Sequence, residues 1–529
     1  MERGKRIGKD EKSERDERMV TDEKTGGSIG MKMDGRVEEV GKMEREVGRT
    51  MGIGKDEVFL KWGERRDEEW SEEWEERYWE VMGREGRKVV VLDDDPTGVQ
   101  TVHDVSVYTD WSEESVLQGF QEEGNLFYIL TNSRGFTEDE TKKAHRQIAG
   151  NIVKAARATG RDFLIMSRGD STLRGHYPLE TQVLRDVLSR EGQQETDGEV
   201  ICPFFKEGGR FTIGNIHYVR YGRELVPAGE TEFAADRTFG YRSSNLADYV
   251  EEKTKGAYPA GEVICIGLDD LRHGRVDKVA GQLMEVRNFN KVIVNAVDYG
   301  DLKVFALALY EAMEQGKRFL FRTAASLVKV MGGITDQPLL TREKMALPEN
   351  GHGGVIVVGS HTAKTTRQLM ELKKVPGIRF LEFNSDLVLN DAAFREETER
   401  TLELISRTIT EGKTAAVYTR RKLLEFKDDT REAALMRSVK ISEAVQSLVG
   451  NLKVVPAFVV AKGGITSSDV GTKALRVKRA TVMGQICPGV PVWQTGKESR
   501  FPHIPYVIFP GNVGEDATLR EAVEILLGR

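Results

Sequence analysis

The stretch KVVVLDDDPTG, residues 88–98, decides how this 529-residue chain is interpreted. Its first half is a continuous apolar run of β-forming residues. Its second half sets three carboxylates before a Pro-Thr-Gly turn. Continuous apolar strands are typical of parallel sheets that are covered on both faces. Open sheets of this kind bind ligands beyond the carboxyl ends of their strands, so Asp93, Asp94 and Asp95 are predicted to lie at a ligand site.

Further apolar runs alternate with helical patterns along the rest of the chain. They are residues 126–131, 162–167, 263–266, 291–295, 354–359, 414–419, 456–462 and 506–510. This alternation predicts an α/β fold. Glycine and proline are dense between residues 331 and 354, which indicates a connection between domains. We therefore predict two domains, each with a largely parallel sheet flanked by helices, over residues 86–335 and 336–529, with a ligand cleft between them.

The first 85 residues differ from the rest of the chain. Residues 1–50 are rich in charged side chains and contain no aromatic residue. Such a composition buries too little apolar surface to offset the entropy of ordering, so residues 1–58 are predicted to form a charged, disordered extension. Residues 59–85 contain four tryptophans and predict an amphipathic helix. We favour a helix packed on the chain's own first domain, and the alternative is a docking helix for a partner.

The composition disfavours several classes of protein. The formal net charge is −7, which argues against a nucleic-acid-binding protein. The three cysteines are far apart and form no CxxC pair, so reduced thiols are expected rather than disulfides or a zinc site. No apolar run is long enough to span a bilayer. The N-terminus has no secretory apolar region, and we expect a cytoplasmic protein with no membrane partner. A homo-oligomer is compatible with the sequence.

Two more polar segments follow apolar strands in the predicted first domain. The segment TNSRG, residues 131–135, contains Arg134, and SRGDSTLRGH, residues 167–176, contains Arg168 and Asp170. A guanidinium can bind a carboxylate or phosphate through two parallel hydrogen bonds, while Asp and Ser side chains can bind sugar hydroxyls. Together with the three carboxylates, these segments predict one rim that binds a small polyhydroxylated acid. The alternative is a set of unrelated capped turns.

Glycine-rich turns follow strands in the predicted second domain. They are GSHT (359–362), KGGITSS (462–468) and PGNVG (510–514). Backbone N–H groups at helix N-termini bind phosphate, and glycine allows the phosphate to approach closely. None of the turns matches GxxxxGK[ST] or GxGxxG. Together they predict a nucleotide-binding site.

In this order the motifs resemble the four-carbon acid sugar kinase family, formerly a domain of unknown function. The resemblance covers roughly residues 85–529. It rests on residues 92–105, 131–135, 168–176, Gly209-Arg210 with Glu230-Thr231, 359–362, 462–469 and 510–514. It implies an N-terminal sugar-acid-binding domain and a C-terminal nucleotide-binding domain. It also implies an ATP-dependent kinase of threonate, erythronate or 3-oxo-tetronate that uses ATP with Mg²⁺.

For such a kinase we predict individual roles. Asp94 or Asp95 would orient or deprotonate the accepting hydroxyl, and Arg134 and Arg168 would hold the carboxylate of the acid. The resemblance itself implies the contacts, position by position. No metal ligand is assigned. The implied substrate contacts are Asp94, Arg134, Arg168, Gly169, Asp170 and Ser171. The implied nucleotide contacts are Ser360, Gly463, Gly464, Ile465, Thr466 and Gly511.

The chain departs from the family pattern at several of these positions. Asp93 stands where the family commonly has Ala, and Ile465 stands where an acid is often found. These departures bear on the identity of the substrate more than on the type of reaction. One alternative is a nicotinamide-dependent sugar-acid oxidoreductase, although its glycine-rich fingerprint is absent after the first strand. Another is a non-catalytic sugar-acid sensor, which the change at Ile465 leaves open.

Overall fold

The computed structural model describes residues 72–192, 195–422, 424, 430–511 and 513–529. The predicted extension over residues 1–58 and the predicted helical residues 59–71 lie outside this part. The helices are α1 (Glu72–Arg84), α2 (Glu113–Gln121), α3 (Glu138–Thr159), α4 (Leu179–Val187), α5 (Leu246–Thr254), α6 (Leu268–Arg272), α7 (Val276–Met284), α8 (Tyr299–Glu314), α9 (Ala325–Met331), α10 (Ala363–Leu372), α11 (Asp391–Thr410), α12 (Arg431–Gly450), α13 (Gly464–Asp469) and α14 (Thr518–Leu527).

Eighteen strands form two sheets among the described residues. They are β1 (Lys88–Asp93), β2 (Val105–Tyr108), β3 (Leu126–Leu130), β4 (Phe163–Arg168), β5 (Gly198–Cys202), β6 (Arg210–Ile213), β7 (Ile216–Tyr221), β8 (Glu224–Pro227), β9 (Ile264–Ile266), β10 (Asn290–Val294), β11 (Phe319–Thr323), β12 (Val355–Val358), β13 (Ile378–Phe383), β14 (Thr414–Thr419), β15 (Val459–Lys462), β16 (Arg479–Cys487), β17 (Val490–Thr495) and β18 (Pro505–Phe509).

The N-terminal half of the main sheet is entirely parallel. Its strand order is β2-β3-β1-β4-β11-β5-β10-β9. All six residues of β1 are buried, as expected for a central strand that is covered on both faces. The carboxyl ends of β1, β3, β4 and β11 therefore meet at one edge of the sheet.

The C-terminal half has its own parallel set and is joined to the first half by an antiparallel hairpin. The parallel order is β13-β14-β12-β15-β18. The hairpin of β16 and β17 pairs with β18 on one side and with β2 on the other. The α/β prediction with largely parallel sheets is confirmed. The parallel sets of the two halves nevertheless belong to one continuous sheet, and they run in opposite directions because three antiparallel pairings separate them.

The long connection between the two halves contains neither helix nor strand. It runs from the end of α9 to the start of β12, where glycine and proline are dense in the sequence. It is still anchored, because the backbone N–H of Leu340 donates to the carbonyl of Gln485 in β16 at 2.7 Å. No helix in the described ranges combines the length and the apolar composition needed to cross a bilayer.

Helix α1 packs on the N-terminal half of the chain. Tyr78 and Met82 are buried, and the Tyr78 hydroxyl donates to the carbonyl of Val330 at 2.6 Å. On the same helix, Glu75 accepts from Lys303 of α8 at 2.5 Å. The described part of the predicted helix therefore lies against its own chain, which was the favoured interpretation of its sequence.

A small antiparallel sheet of β6, β7 and β8 was not foreseen from the sequence. It supports the polar segment that follows β4. The buried His217 of β7 contacts the carbonyl of Ser171 through Nε2 at 2.8 Å. Tyr241 donates to the carbonyl of Thr172 at 2.8 Å. These contacts fix the backbone of the segment, which positions its side chains at the edge of the main sheet.

Candidate functional site

The carboxylates that follow β1 have three different environments. Asp93 and Asp94 are buried, while Asp95 is partly exposed. The Asp95 carboxylate accepts hydrogen bonds from the N–H and hydroxyl of Thr97 at 2.8 and 2.6 Å, so it closes the turn. Glycine is required at position 98 because a Cβ there would lie 1.9 Å from Oδ2 of Asp93.

Arg134 follows β3 and reaches the carboxylates across the strand edge. It donates through Nη2 to Oδ1 of Asp94 at 2.7 Å and through Nε to Oδ2 at 3.3 Å. Its Nη1 donates to Asp95 at 3.2 Å. Such a bidentate pair is the strong form of a charge-assisted hydrogen bond. The guanidinium is therefore neutralised by the protein's own carboxylates. Even beside this cation, burial raises the pKa of Asp94 above its usual value.

Arg168 ends β4 and is paired with the first of the three carboxylates. Its Nη1 donates to Oδ1 of Asp93 at 3.3 Å, and both side chains are buried. Burial raises the pKa of Asp93 to about 7, and the adjacent carboxylates of Asp94 and Asp95 act in the same direction, although Arg168 opposes them. The first carboxylate is thus a buried group that stabilises Arg168.

The segment after β4 is tightly packed around a further guanidinium. A Cβ at Gly169 would lie 2.2 Å from Nη1 of Arg322, so any larger residue there would displace the Arg322 guanidinium. Asp170 accepts from Nε of Arg174 at 2.6 Å. Burial alone would raise the pKa of Asp170, but Arg134 and Arg174 outweigh it and hold the pKa well below its usual range. Asp170 is therefore ionised.

Sequence reasoning missed Arg322 and Glu180, which lie behind this rim. Arg322, from β11, donates through Nη1 to Glu180 of α4 at 2.8 Å, and both side chains are nearly inaccessible. Arg322 also donates to the carbonyl of Arg174 at 3.1 Å. The available signal was an arginine within the apolar run FLFRT, residues 319–323. Burial of such a charge requires a partner.

The structure thus brings together the predicted substrate residues. Asp94 and Arg134 are in direct contact, Asp170 lies within the electrostatic reach of Arg134, and Ser171 is held by His217. They form one charged cluster at the carboxyl ends of β1, β3 and β4. Separate capped turns would not share ion pairs in this way. Their contact with a substrate stays a prediction.

The predicted nucleotide residues surround a cavity of about 680 Å³ in the C-terminal half. It lies at the carboxyl ends of β12, β14 and β15. One wall is aliphatic and includes Leu424, Ile441 and Val445, while the other consists of the glycine turns. All six predicted residues line this cavity: Ser360, Gly463, Gly464, Ile465, Thr466 and Gly511.

The backbone of these turns depends on glycine at specific places. Gly463 has a φ of +118°, a conformation that other residues rarely adopt. A Cβ at Gly359 would lie 2.3 Å from Oγ1 of Thr466, so the two turns approach each other closely. Gly464 differs, because a Cβ there would meet nothing within 4 Å and would extend into open space. Ile465 is 76% exposed beside it.

Lys462 is a further residue to which sequence reasoning gave no individual role. It is fully buried at the end of β15, and its ammonium donates to the carbonyls of Pro510 and Gly511 at 2.5 and 3.0 Å. Burial lowers the pKa of Lys462 to about 7. The side chain ties two of the glycine turns together. The lysine directly before the glycine pair was the signal for this role.

The turn between β16 and β17 contacts one segment next to each candidate site. The Gln100 side chain, a few residues after the carboxylates, donates to the carbonyl of Gly489 at 3.2 Å. A Cβ at Gly489 would lie 2.9 Å from Val513, near the third glycine turn.

The described residues do not offer a preformed metal centre. Within the ranges that the structure describes, no group of three or more His, Cys, Asp or Glu side chains is arranged to hold a metal ion. The carboxylates of Asp94 and Asp95 are already bound to Arg134. Magnesium ligands are therefore not assigned to this chain.

Comparison with known families assigns a general role to each half. A sugar-binding N-terminal domain matches residues 89–331, and a nucleotide-binding C-terminal domain matches residues 355–519. The first match contains the charged cluster, and the second contains the glycine turns. No curated protein matches the sequence.

Solved structures share the fold at low sequence identity. A Haemophilus influenzae protein of the family DUF1537 is 18% identical, and the match covers 83% of this chain and 100% of that chain with a TM-score of 0.56. A Salmonella typhimurium LT2 protein, provisionally described as a tRNA synthase, is 17% identical, with 82% and 98% covered and a TM-score of 0.58. The two family matches show that the chain consists of a sugar-binding N-terminal domain over residues 89–331, followed by a nucleotide-binding C-terminal domain over residues 355–519.

Proposed function

We propose that the protein is an ATP-dependent kinase that phosphorylates a hydroxyl of a small, four-carbon sugar acid. The observation that carries this proposal is the pairing of two sites on one chain. A charged carboxylate–arginine cluster lies in the sugar-binding domain, and a glycine-lined cavity lies in the nucleotide-binding domain. Phosphoryl transfer requires positioning and charge stabilisation more than covalent chemistry, which suits such an arrangement.

The N-terminal cluster would bind the acceptor. Asp94 is the better candidate for the group that orients or deprotonates the hydroxyl, because burial raises its pKa and so makes it a stronger base. Asp95 is the alternative, but its carboxylate closes the turn at Thr97. The remaining proposed contacts with the acid are Arg134, Arg168, Gly169, Asp170 and Ser171.

The C-terminal cavity would bind ATP. The adenine ring of ATP would lie against the aliphatic wall of Ile441 and Val445. Its phosphates would lie at the backbone N–H groups of the glycine turns. Lys462 would hold the turns in place. Magnesium would neutralise phosphate charge when it is bound with the nucleotide. The proposed reaction also requires that water, which otherwise hydrolyses ATP, is excluded when both ligands are bound.

The proposed reaction can be tested with a panel of small acids. The full chain should form ADP only when a sugar acid is present, and threonate, erythronate and 3-oxo-tetronate are the first substrates to measure. Binding of an acid without ADP formation would support a non-catalytic sensor instead. Substrate-dependent reduction of NAD⁺ or NADP⁺ would support an oxidoreductase. Either result would overturn the kinase proposal.

A substitution at Gly464 should test the nucleotide site. We expect Gly464→Val to weaken ATP and ADP binding at least tenfold, because the new side chain would extend into the cavity while meeting no protein atom near its Cβ. Calorimetric titration with ADP measures the affinity, and a thermal melt checks folding. Gly281→Val is the matched control, since Gly281 is an exposed glycine of α7 that also has open space around its Cβ. Equal ADP affinity in both folded variants would remove the assignment.

A further inference from the structure

We propose that Arg210 binds the carboxylate of the substrate and makes the site specific for acids. This inference rests on the proposed function, because it names the residue that reads the anionic end of the sugar acid. Sequence reasoning gave that role to Arg134 and Arg168. Those two guanidiniums already form ion pairs with Asp94 and Asp93, so carboxylates of the protein itself neutralise their charge.

Arg210 lies beside this cluster and, among the described residues, has no carboxylate within ion-pair distance, although Asp170 and Glu232 act on it electrostatically. Arg174 is paired with Asp170 at 2.6 Å, and Arg322 is paired with Glu180 at 2.8 Å. Arg210 instead donates through Nη1 to the carbonyl of Gly208. Its Nε is buried and has no hydrogen-bond partner. Nε of Arg168 is unsatisfied in the same way, so the difference between the two residues is the ion pair. A half-buried cation without an ion-pair partner favours a bound anion, because the anion supplies the missing charge.

The position of Arg210 suits contact with a ligand in the cluster. It is the first residue of β6, in the small sheet that supports the segment after β4 through His217 and Ser171. The ring of Phe233 lies 5.0 Å from the guanidinium carbon of Arg174 and 6.0 Å from that of Arg210. Both guanidiniums therefore lie near the same aromatic ring, and that of Arg174 is paired with Asp170. The positive charge of Arg210 therefore lies beside the rim, within electrostatic reach of Asp170.

This arrangement divides the rim into two chemical parts. Asp94 and Asp170 are paired with Arg134 and Arg174, but a carboxylate has several lone pairs and can also accept from the hydroxyls of a sugar. Arg210 supplies the cation that suits the acid group. Burial lowers the pKa of Arg210, and the field of Asp170 opposes that effect. Arginine stays protonated in proteins, so its charge is available at any working pH. The class of ligand is a short polyhydroxylated monocarboxylate.

The test compares an acid with its uncharged amide. We expect Arg210→Gln to raise the KM for the best tetronate roughly 10- to 100-fold, as the loss of a charged hydrogen bond implies. The KM for the corresponding tetronamide should change less than about threefold, and ADP affinity should stay unchanged. Arg220→Gln is the matched control, because Arg220 lies on the adjacent strand β7, stacks on Phe211 and is exposed.

The outcomes separate this inference from the proposed function. An equal rise in KM for acid and amide, or the same effect in Arg220→Gln, would overturn the role of Arg210. Calorimetric titration with the tetronate alone gives a second readout that needs no turnover. If the wild type forms no ADP but Arg210→Gln loses its affinity for the acid, the result would support the carboxylate site and contradict the kinase proposal. ADP formation that is unaffected in Arg210→Gln would support the kinase and contradict the carboxylate site.

Discussion

Replacement of Asp94 by Asn should lower turnover by about a hundredfold to ten-thousandfold, which is the typical cost of losing a general base. The substitution nearly preserves shape and removes the charge. ADP affinity should stay near the wild-type value, because the nucleotide cavity is formed by other residues. Rates of ADP formation at saturating acid measure the effect. A thermal melt is needed as well, since Asp94 also neutralises Arg134.

The neighbouring carboxylate provides the control for this experiment. Asp95→Asn keeps an oxygen that can accept from Thr97, so the turn should survive. Its turnover should fall much less than that of Asp94→Asn. A larger loss in Asp95→Asn would move the proposed base to that residue. Near-normal turnover in both variants would remove the general base from this segment.

Replacement of Arg322 by Met should lower the free energy of unfolding by about 3–5 kcal/mol, because it leaves a buried carboxylate without its cation. Arg322 is only 9% exposed and Glu180 only 2% exposed, with 2.8 Å between them. The guanidinium also fills the space beside Gly169 and Gly175. Its loss should therefore loosen the segment that carries Asp170. Urea denaturation measures the change.

A nearby surface pair separates this effect from the general loss of an arginine. Arg318 directly precedes β11, its side chain is 44% exposed, and it lies 3.6 Å from Asp162. Exposed ion pairs contribute little to the stability of the folded state, so Arg318→Met should lower the free energy of unfolding by less than about 1 kcal/mol. Similar losses in the two variants would contradict a buried ion pair that stabilises the rim.

The local pattern of the sequence predicted much of the main sheet. The runs 88–93 and 414–419 coincide with β1 and β14 over their full length. Apolar β-forming runs have few alternatives to a central strand, because they must be buried and the alternating helices cover both faces of the sheet. The hairpin of β16 and β17 was missed. The residues of β16 alternate between buried and partly exposed positions, and the hairpin has shifts of register, so β16 lacks the continuous apolar run by which the other strands were found.

The sequence by itself also determined where the polar segments lie, since each directly follows an apolar strand whose carboxyl end reaches the sheet edge. Only the tertiary structure decided which charges pair. Arg134 binds a carboxylate 40 residues away, and Arg322 binds one 142 residues away. The partner of a buried charge is chosen by distance and desolvation in the folded chain, and no local pattern carries that information.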